Sequence, residues 1–265
     1  MLAVDWERGM RKNAVTMVGD IDKCWLFAYR VPELELAVNL PKELQLVMRG
    51  GFGFLNIVVS RLSHMRPAGL PWFVGVSYWH VAYRLHVRFC PNSKQPIEGL
   101  YFLRSDADSG IMVGLGNLLT SFRFHRCSVD VDSLEDHLDI NVQSDEAPLI
   151  ARIDYLSSPC LAEGSPFKDL TEAGEFLKYK PAGISVHGGV VEVLRITRDE
   201  TAWRSRLVKV DRAEIAFIKP FNATLEVCYE VEPIHYRWNM AERYWTPTRK
   251  SMRAVTTTTS RCVNR

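Results

Sequence analysis

The chain has 265 residues, of which 47% are hydrophobic and 24% charged, and its formal net charge is +2 at pH 7. These proportions are typical of soluble globular proteins and exclude a disordered or coiled-coil chain. The small net charge does not indicate a nucleic-acid or membrane surface, and no apolar run approaches the roughly 18 residues of a membrane helix. We therefore expect a cytoplasmic protein that binds neither nucleic acid nor membrane.

The length is compatible with one large domain, because all-β barrels and sandwiches reach this size. We predict a single domain over residues 1–245. Residues 246–265 have few large apolar side chains and many threonines and arginines, which indicates a C-terminal tail that is mobile or depends on a partner. The six cysteines are scattered without paired spacing, so no metal site is predicted, and no cofactor is expected.

Aromatic and β-branched residues favour strands in the first third of the chain. A strand over residues 23–31 carries Arg30 and is followed by one or two helical turns over 33–39. A glycine-rich turn then joins two predicted strands, 44–47 and 53–60, which we expect to pair with each other.

The clearest strand is VAYRLHVRF, residues 81–89, because apolar and polar positions alternate along it. One face is apolar, and the other carries Ala82, Arg84, His86 and Arg88. The basic face is either ordinary solvated polarity or the lining of a pocket that faces the hollow of a barrel. Arg84 and His86 matter for function only in the second interpretation.

The stretch from residue 99 to 132 concentrates polar groups within dense apolar sequence. A strand, which should pair antiparallel with 81–89, leads into an acidic turn with Asp106 and Asp108. A small-residue apolar segment follows, and then a basic aromatic run with Arg123 and His125. We interpret this stretch as the floor of a pocket.

The rest of the chain adds strands and one clear helix. An acidic β-meander is predicted over residues 129–156, and a helix over 165–177 with Ser165 as its N-cap before Pro166. The complete pattern predicts a mostly β (α+β) protein. Further strands are expected over residues 190–197, 202–210 and 225–231.

Five segments carry a family resemblance: Val31-Pro32, LPKEL (40–44), RPAGLP (66–71), the strand of Arg84 and, most specifically, GLYFLRSDAD (99–108). Over roughly residues 23–231 the chain resembles the YqjF-like uncharacterised bacterial family of the acetoacetate-decarboxylase-like superfamily. The resemblance implies an acetoacetate-decarboxylase-like antiparallel β-barrel with a few short helices around a ligand cavity. Members of this superfamily are often oligomers, so the resemblance also implies a possible homo-oligomer.

The decarboxylases of that superfamily hold their substrate as a Schiff base on a lysine. In the corresponding segment here the lysine pair falls on Phe122 and Arg123, and neither side chain forms an imine. The resemblance also aligns Arg30 with an arginine that contacts substrate in those enzymes. His80 and Ala82 stand where the YqjF-like pattern has a carboxylate and an asparagine. Recognition of an anion is thus expected without the Schiff-base reaction.

The leading hypothesis is a barrel that binds a small anionic organic molecule with Arg30, Arg84 and Arg123. Guanidinium groups bind carboxylates through paired hydrogen bonds, and an apolar cavity strengthens that contact. This hypothesis predicts that the three arginines converge inside the barrel.

An alternative is a lyase or hydratase in which His86 or His125 performs acid–base chemistry beside Asp106 or Asp108. A histidine that is oriented by a carboxylate suits general-base chemistry near neutral pH. This alternative requires a hydrogen bond between such a pair, open to a cavity.

A further alternative is a structural or protein-interaction module. The aromatic stretch WNMAERYW, residues 238–245, and the tail would then dock a partner. Exposure of Trp238, Tyr244 and Trp245 as one contiguous patch would favour it, whereas burial would make them part of the core.

Overall fold

The computed structural model describes residues 12–91, 95–178 and 180–245. The predicted tail, residues 246–265, lies outside these ranges, and the division into one domain and a tail stays a prediction. Within the described residues the fold is mostly β, which confirms the predicted class. The strands β1 to β15 cover Met17–Pro32, Leu44–Leu46, Phe52–Pro67, Val76–Phe89, Ile97–Ala107, Phe124–Arg126, Ser128–Ser133, His137–Gln143, Leu149–Asp154, Ala182–His187, Val190–Arg198, Ser205–Ile215, Thr224–Val231, Ile234–Trp238 and Glu242–Trp245. The helices α1 to α3 cover Glu33–Ala37, Gly110–Leu119 and Leu170–Leu177, and short 3₁₀ turns cover Trp72–Val74 and Ala216–Ile218.

Strand β1 organises the main sheet because its two halves have different partners. Its first half pairs with β14 and its second half with β13, while β3 pairs along nearly its whole length. The pairings from β14 through β11, β10, β5, β4 and β3 return to β1 and close a ring. The pairings of this ring are antiparallel, as predicted, except for the parallel pairing of β5 with β10. Outside the ring, β6 also pairs in parallel with β5.

The predicted acidic meander is confirmed as β7, β8 and β9, and β12 adds a fourth strand to it. Tyr83 and Leu85 of β4 share one core cluster with Leu138, Ile140 and Ile153 of the meander. The face of β4 that was predicted to be apolar therefore packs against the meander, and its opposite face points into the ring.

The predicted pairing of residues 44–47 with 53–60 is wrong. Strand β2 pairs with β4 instead, with Leu44 opposite Phe89. Strand β4 extends beyond Leu85, where its pairing with β3 ends, so its remaining backbone groups are available to β2. The expected glycine turn is present, and hydrogen bonds of 2.9 and 3.0 Å between Arg49 and Phe52 close it.

The helix predicted to begin at Ser165 begins later. α3 starts at Leu170, and its N-cap is Asp169, whose carboxylate accepts from the backbone N–H of Glu172 at 2.8 Å. The hydroxyl of Ser165 donates instead to Glu226 at 2.7 Å. A capping side chain satisfies a free N–H of the first turn, and Asp169 has this role three residues before Glu172.

The sequence analysis missed several elements. The small-residue apolar segment after the acidic turn is helix α2, which begins with Ser109 as its N-cap. Strand β10 was not predicted, and β13 is followed by two further strands, β14 and β15, within the described residues. No helix among the described residues is long and apolar enough to span a membrane.

Candidate ligand-binding site

The ring of strands encloses a cavity of about 430 Å³. Its wall is built mainly from apolar side chains of β1, β3, β4, β11 and β14, and α2 lies at its mouth. Among the described residues of the wall, the side chains with a permanent charge are Arg66, Arg84 and Lys178, and none is a carboxylate. The described lining is therefore apolar and carries only positive charge.

Strand β4 supplies a continuous row of the wall. Because side chains alternate along a strand, Val76, Tyr78, His80, Ala82 and Arg84 all face the cavity. Of the three cations in the wall, Arg84 is the buried one, with 7% of its surface exposed. Its guanidinium carbon lies 5.7 Å from the centre of the Phe102 ring, which is also part of the wall.

Two histidines on the same face of β4 flank Arg84, and both are neutral at pH 7. Desolvation, and then the charge of Arg84, lower the pKa of His80 to about 3. Desolvation, followed by the charges of Lys180 and Arg84, lowers the pKa of His86 to about 3. His80 Nε2 is buried without a hydrogen-bond partner among the described residues, and its ring stacks on Phe124 at 5.5 Å.

The other reactive group in the wall is held in its neutral form. Cys24 of β1 lines the cavity, and burial raises the pKa of its thiol to about 12, although Arg84 acts in the opposite direction. A thiol of this pKa is not a nucleophile near neutral pH, because the thiolate is the reactive species.

The expected convergence of three arginines is wrong. Arg30 lies on β1 but outside the cavity wall; it forms a buried ion pair with Glu226 and donates to the carbonyl of Glu163 at 2.7 Å. Arg123 is exposed and has a positive φ of 54°. Arg84 is the one predicted arginine that faces the cavity, because the neighbouring strand β13 supplies a carboxylate to Arg30 and the chain turns outward at Arg123.

The structure places Asp106 and His125 opposite each other in the pairing of β5 with β6, but it does not form the hydrogen bond that the acid–base hypothesis requires. The His86 side chain forms a hydrogen bond with Asn56, and His125 is exposed. Asp108 accepts from the backbone N–H of Trp79 at 2.8 Å. In the parts of the chain that are described, no hydrogen bond joins His86 or His125 to Asp106 or Asp108, which is the contact that this hypothesis requires.

Asp106 forms an ion pair with a neighbouring arginine. Its carboxylate accepts from Arg104 Nε at 2.6 Å, and Arg104 also pairs with Glu146. Burial raises the pKa of Asp106, and the hydrogen bond from Arg104 acts against that shift. Asp106 was predicted to lie in a turn but lies in strand β5, where it contributes a buried ion pair with Arg104 to the fold.

Phe122 stands in the cavity wall at the position that the resemblance aligned with the Schiff-base lysine. Its ring packs on Phe102 with a centroid separation of 4.3 Å. The described wall contains a lysine at another place, Lys178, which follows α3. About half of the Lys178 side chain is exposed, and its ammonium group pairs with Glu175.

The aromatic stretch near the C-terminus does not form a contiguous patch. Trp238 lines the cavity and stacks on Tyr236 at 5.6 Å. Tyr244 packs against Phe89 at 5.3 Å, whereas Trp245 is 70% exposed. Trp238 and Tyr244 are half-buried and pack against core clusters, whereas Trp245 is exposed, so the three aromatic side chains do not form the exposed patch that the interaction-module hypothesis requires.

Sequence reasoning missed Tyr78 and the mouth of the cavity, and it noted His80 only as a departure from a family pattern. The alternation of residues 81–89 extends upstream to Val76, and following it further would have indicated both Tyr78 and His80. No local signal indicated that α2 lies beside the cavity, because that contact depends on the folded ring.

Comparison with known proteins gives one family and a consistent fold. The model of the DUF2071 family, described as an uncharacterized conserved protein (COG2071), matches residues 20–235. No curated protein matches the chain.

Several solved structures share the fold. An acetoacetate decarboxylase from Legionella pneumophila aligns with a TM-score of 0.59 at 13% identity and covers 92% of each chain. An acetoacetate decarboxylase-like enzyme from Sphingomonas wittichii RW1 aligns with a TM-score of 0.57 at 11% identity, over 89% of this chain and 95% of that one. The enduracididine biosynthesis enzyme MppR, complexed with pyruvate, aligns with a TM-score of 0.56 at 7% identity, over 89% of this chain and 93% of that one. At such identities the similarity establishes the acetoacetate-decarboxylase-like fold alone.

Proposed function

This chain belongs to the DUF2071 family and has the acetoacetate-decarboxylase-like fold, and on that premise we propose that it binds a small organic anion in its interior cavity. Arg84 holds the anionic group, and the apolar wall holds the remainder of the molecule. The observation that carries the proposal is a buried guanidinium in a cavity whose described lining contains no carboxylate.

The electrostatics of the wall support an anion rather than a cation. His80, the histidine of the described wall, is neutral at pH 7 because desolvation and then the charge of Arg84 lower its pKa, so the buried charge of the wall is the positive charge of Arg84. A charge interacts more strongly in a poorly solvated cavity than in water, and a guanidinium presents paired N–H donors that match a carboxylate. An anion that reaches Arg84 would therefore interact with the guanidinium more strongly than it would in water.

A relative of the same fold supports the class of ligand. MppR was solved in complex with pyruvate, which is a small organic anion. We carry over the class of molecule and not the reaction, because the family resemblance aligns Phe122 with the Schiff-base lysine of the superfamily. The proposal accordingly concerns binding without an imine intermediate. We also retain the expectations of a cytoplasmic location and of homo-oligomers.

The test compares two arginine variants of the full chain. Arg84→Met keeps the aliphatic part of the side chain and removes the charge, and Arg123→Met makes the same change at an exposed arginine outside the cavity. Native mass spectrometry identifies what co-purifies with each protein, and calorimetry with pyruvate and octanoate measures binding. We expect the wild type and Arg123→Met to bind an organic acid and Arg84→Met to bind it at least tenfold more weakly. Equal binding by all three proteins would contradict the role of Arg84.

A further inference from the structure

The mouth of the cavity is rimmed by exposed apolar side chains. They come from Val15, from the loop and 3₁₀ turn around residues 70–74, and from α2. The exposed members are Val15, Leu70, Trp72, Phe73, Val74, Ile111, Leu115, Leu118 and Leu119. Five of them also line the cavity: Val15, Leu70, Val74, Leu115 and Leu119. The apolar wall therefore continues without interruption from the interior to the surface.

The depth of the cavity can be followed along β4. Val76 lies next to the rim, and Arg84 is the buried end of the row that faces the cavity. At about 3.3 Å per residue these two positions are roughly 26 Å apart along the strand. A positive charge thus lies at one end of a long apolar channel, and an apolar opening lies at the other.

The polar groups between the two ends carry no charge. Ser60 donates its hydroxyl hydrogen to the carbonyl of His80 at 3.3 Å, and the His80 imidazole is neutral. At the mouth, Arg66 donates to the carbonyls of Leu70 and His64 at 3.0 and 2.8 Å. Arg66 is thus held by the loop that it supports, and Lys178 is half-exposed and pairs with Glu175. Arg84 is the buried cation of the described wall, and it is therefore the side chain that we assign as the anchor for an anionic head group.

From this arrangement we infer that the ligand is an amphiphilic carboxylic acid with a linear apolar chain, of medium to long length. Its carboxylate lies on Arg84, and its chain extends along β4 towards the mouth between α2 and the 3₁₀ turn at Trp72–Val74. This inference rests on the proposed function and narrows its ligand class. A short anion would leave most of the apolar wall in contact with water. Each buried methylene of a longer chain instead removes apolar surface from contact with water.

The main test uses the wild-type protein and a homologous series of straight-chain acids: butanoate, octanoate, dodecanoate and hexadecanoate. We expect the affinity measured by calorimetry to rise by roughly fourfold for each added methylene until the chain reaches the mouth. It should then level off, because further methylenes extend into solvent. Equal affinities for butanoate and dodecanoate would overturn the inference.

Two leucines of α2 provide a matched pair of variants at the mouth. Leu115 and Leu118 are 45% and 51% exposed, but only Leu115 is among the described residues that line the cavity. We expect Leu115→Gln to weaken hexadecanoate binding by about tenfold and to leave butanoate binding unchanged, whereas Leu118→Gln changes neither. Equal effects of the two substitutions on hexadecanoate would contradict the proposed path of the chain.

The Arg84→Met variant separates a failure of this inference from a failure of the proposed function. If all acids bind alike and Arg84→Met weakens all of them, the anion site stands and the long-chain ligand is wrong. If no acid binds to the wild type, both proposals are wrong. If affinity rises with chain length but Arg84→Met has no effect, the carboxylate is placed incorrectly and the inference fails.

Discussion

Asn56 and His86 are joined inside the ring of strands by a hydrogen bond of 2.6 Å between Asn56 Nδ2 and His86 Nε2. Both side chains are fully buried. Because the pKa of His86 is lowered to about 3, its Nε2 accepts this hydrogen bond from Asn56, and Nδ1 carries the ring proton. A neutral buried imidazole of this kind makes folding sensitive to acid.

The first prediction concerns that sensitivity. An unfolded histidine titrates near 6.5, so between that value and about 3 the unfolded chain binds a proton that the folded chain does not. The free energy of unfolding therefore falls as the pH is lowered through this window, by about 2 kcal/mol at pH 5 from His86 alone. We expect His86→Gln, which keeps a hydrogen-bonding group beside Asn56, to reduce the loss between pH 7 and pH 5 by that amount in denaturant titrations. An unchanged pH dependence would show that His86 titrates alike in both states.

A second prediction concerns the buried pair formed by Arg104 and Asp106. Burial raises the pKa of Asp106 although Arg104 donates to it, so the desolvation of the carboxylate outweighs its pairing. Arg104→Met would leave Asp106 buried without its cation and should lower the free energy of unfolding by about 3 to 5 kcal/mol. The double variant Arg104→Met with Asp106→Leu should lose less than the single variant, because no buried unpaired charge remains and Glu146, the other partner of Arg104, is exposed. Chemical denaturation of both proteins checks this order, and a greater loss in the double variant would contradict it.

A third prediction uses two glycines of α2. A Cβ on Gly116 would lie 2.4 Å from Cδ2 of Phe124, whereas a Cβ on Gly114 would meet nothing within 4 Å. Gly116→Ala should therefore destabilise the protein by about 1 to 3 kcal/mol, because the helix or the ring must move. Gly114→Ala should stabilise it by about 0.5 to 1 kcal/mol, because alanine restricts the unfolded chain and favours helix. Thermal and chemical unfolding of the two variants measure whether each substitution raises or lowers the free energy of unfolding. Equal effects would show that α2 does not approach Phe124 closely.

The fourth prediction tests the absence of Schiff-base chemistry. Phe122 stands in the cavity wall at the aligned lysine position, and the lysine of the described wall, Lys178, pairs with Glu175. Nearby Lys180 has a pKa lowered by burial, but it is not among the described residues of the cavity wall. We expect incubation with pyruvate and borohydride to leave the mass of the intact protein unchanged. A reduced adduct mapped to Lys178 or Lys180 by peptide mass spectrometry would contradict the proposal of binding without an imine.

The sequence alone determined the strands whose periodicity is local. The alternation of residues 81–89 predicted strand β4 and separated its two faces, since the side chains of a strand point alternately to opposite sides. The meander was predicted on the same basis, and the GLYFLRSDAD motif indicated the superfamily. The position of α2 beside the cavity and the pairing of β2 with β4 were not predictable, because they join segments that are distant in sequence.

Only the tertiary structure decided which arginine faces the cavity. Arg30, Arg84 and Arg123 have the same side chain and each lies in an apolar context, so the sequence treated them alike. Arg30 meets Glu226, a residue 196 positions away, and Arg123 turns outward at a positive φ. Arg84 faces the cavity because ring closure places its side of β4 inside. Local residue patterns specify the face on which a side chain lies, whereas the charges that it meets depend on which distant strands become its neighbours.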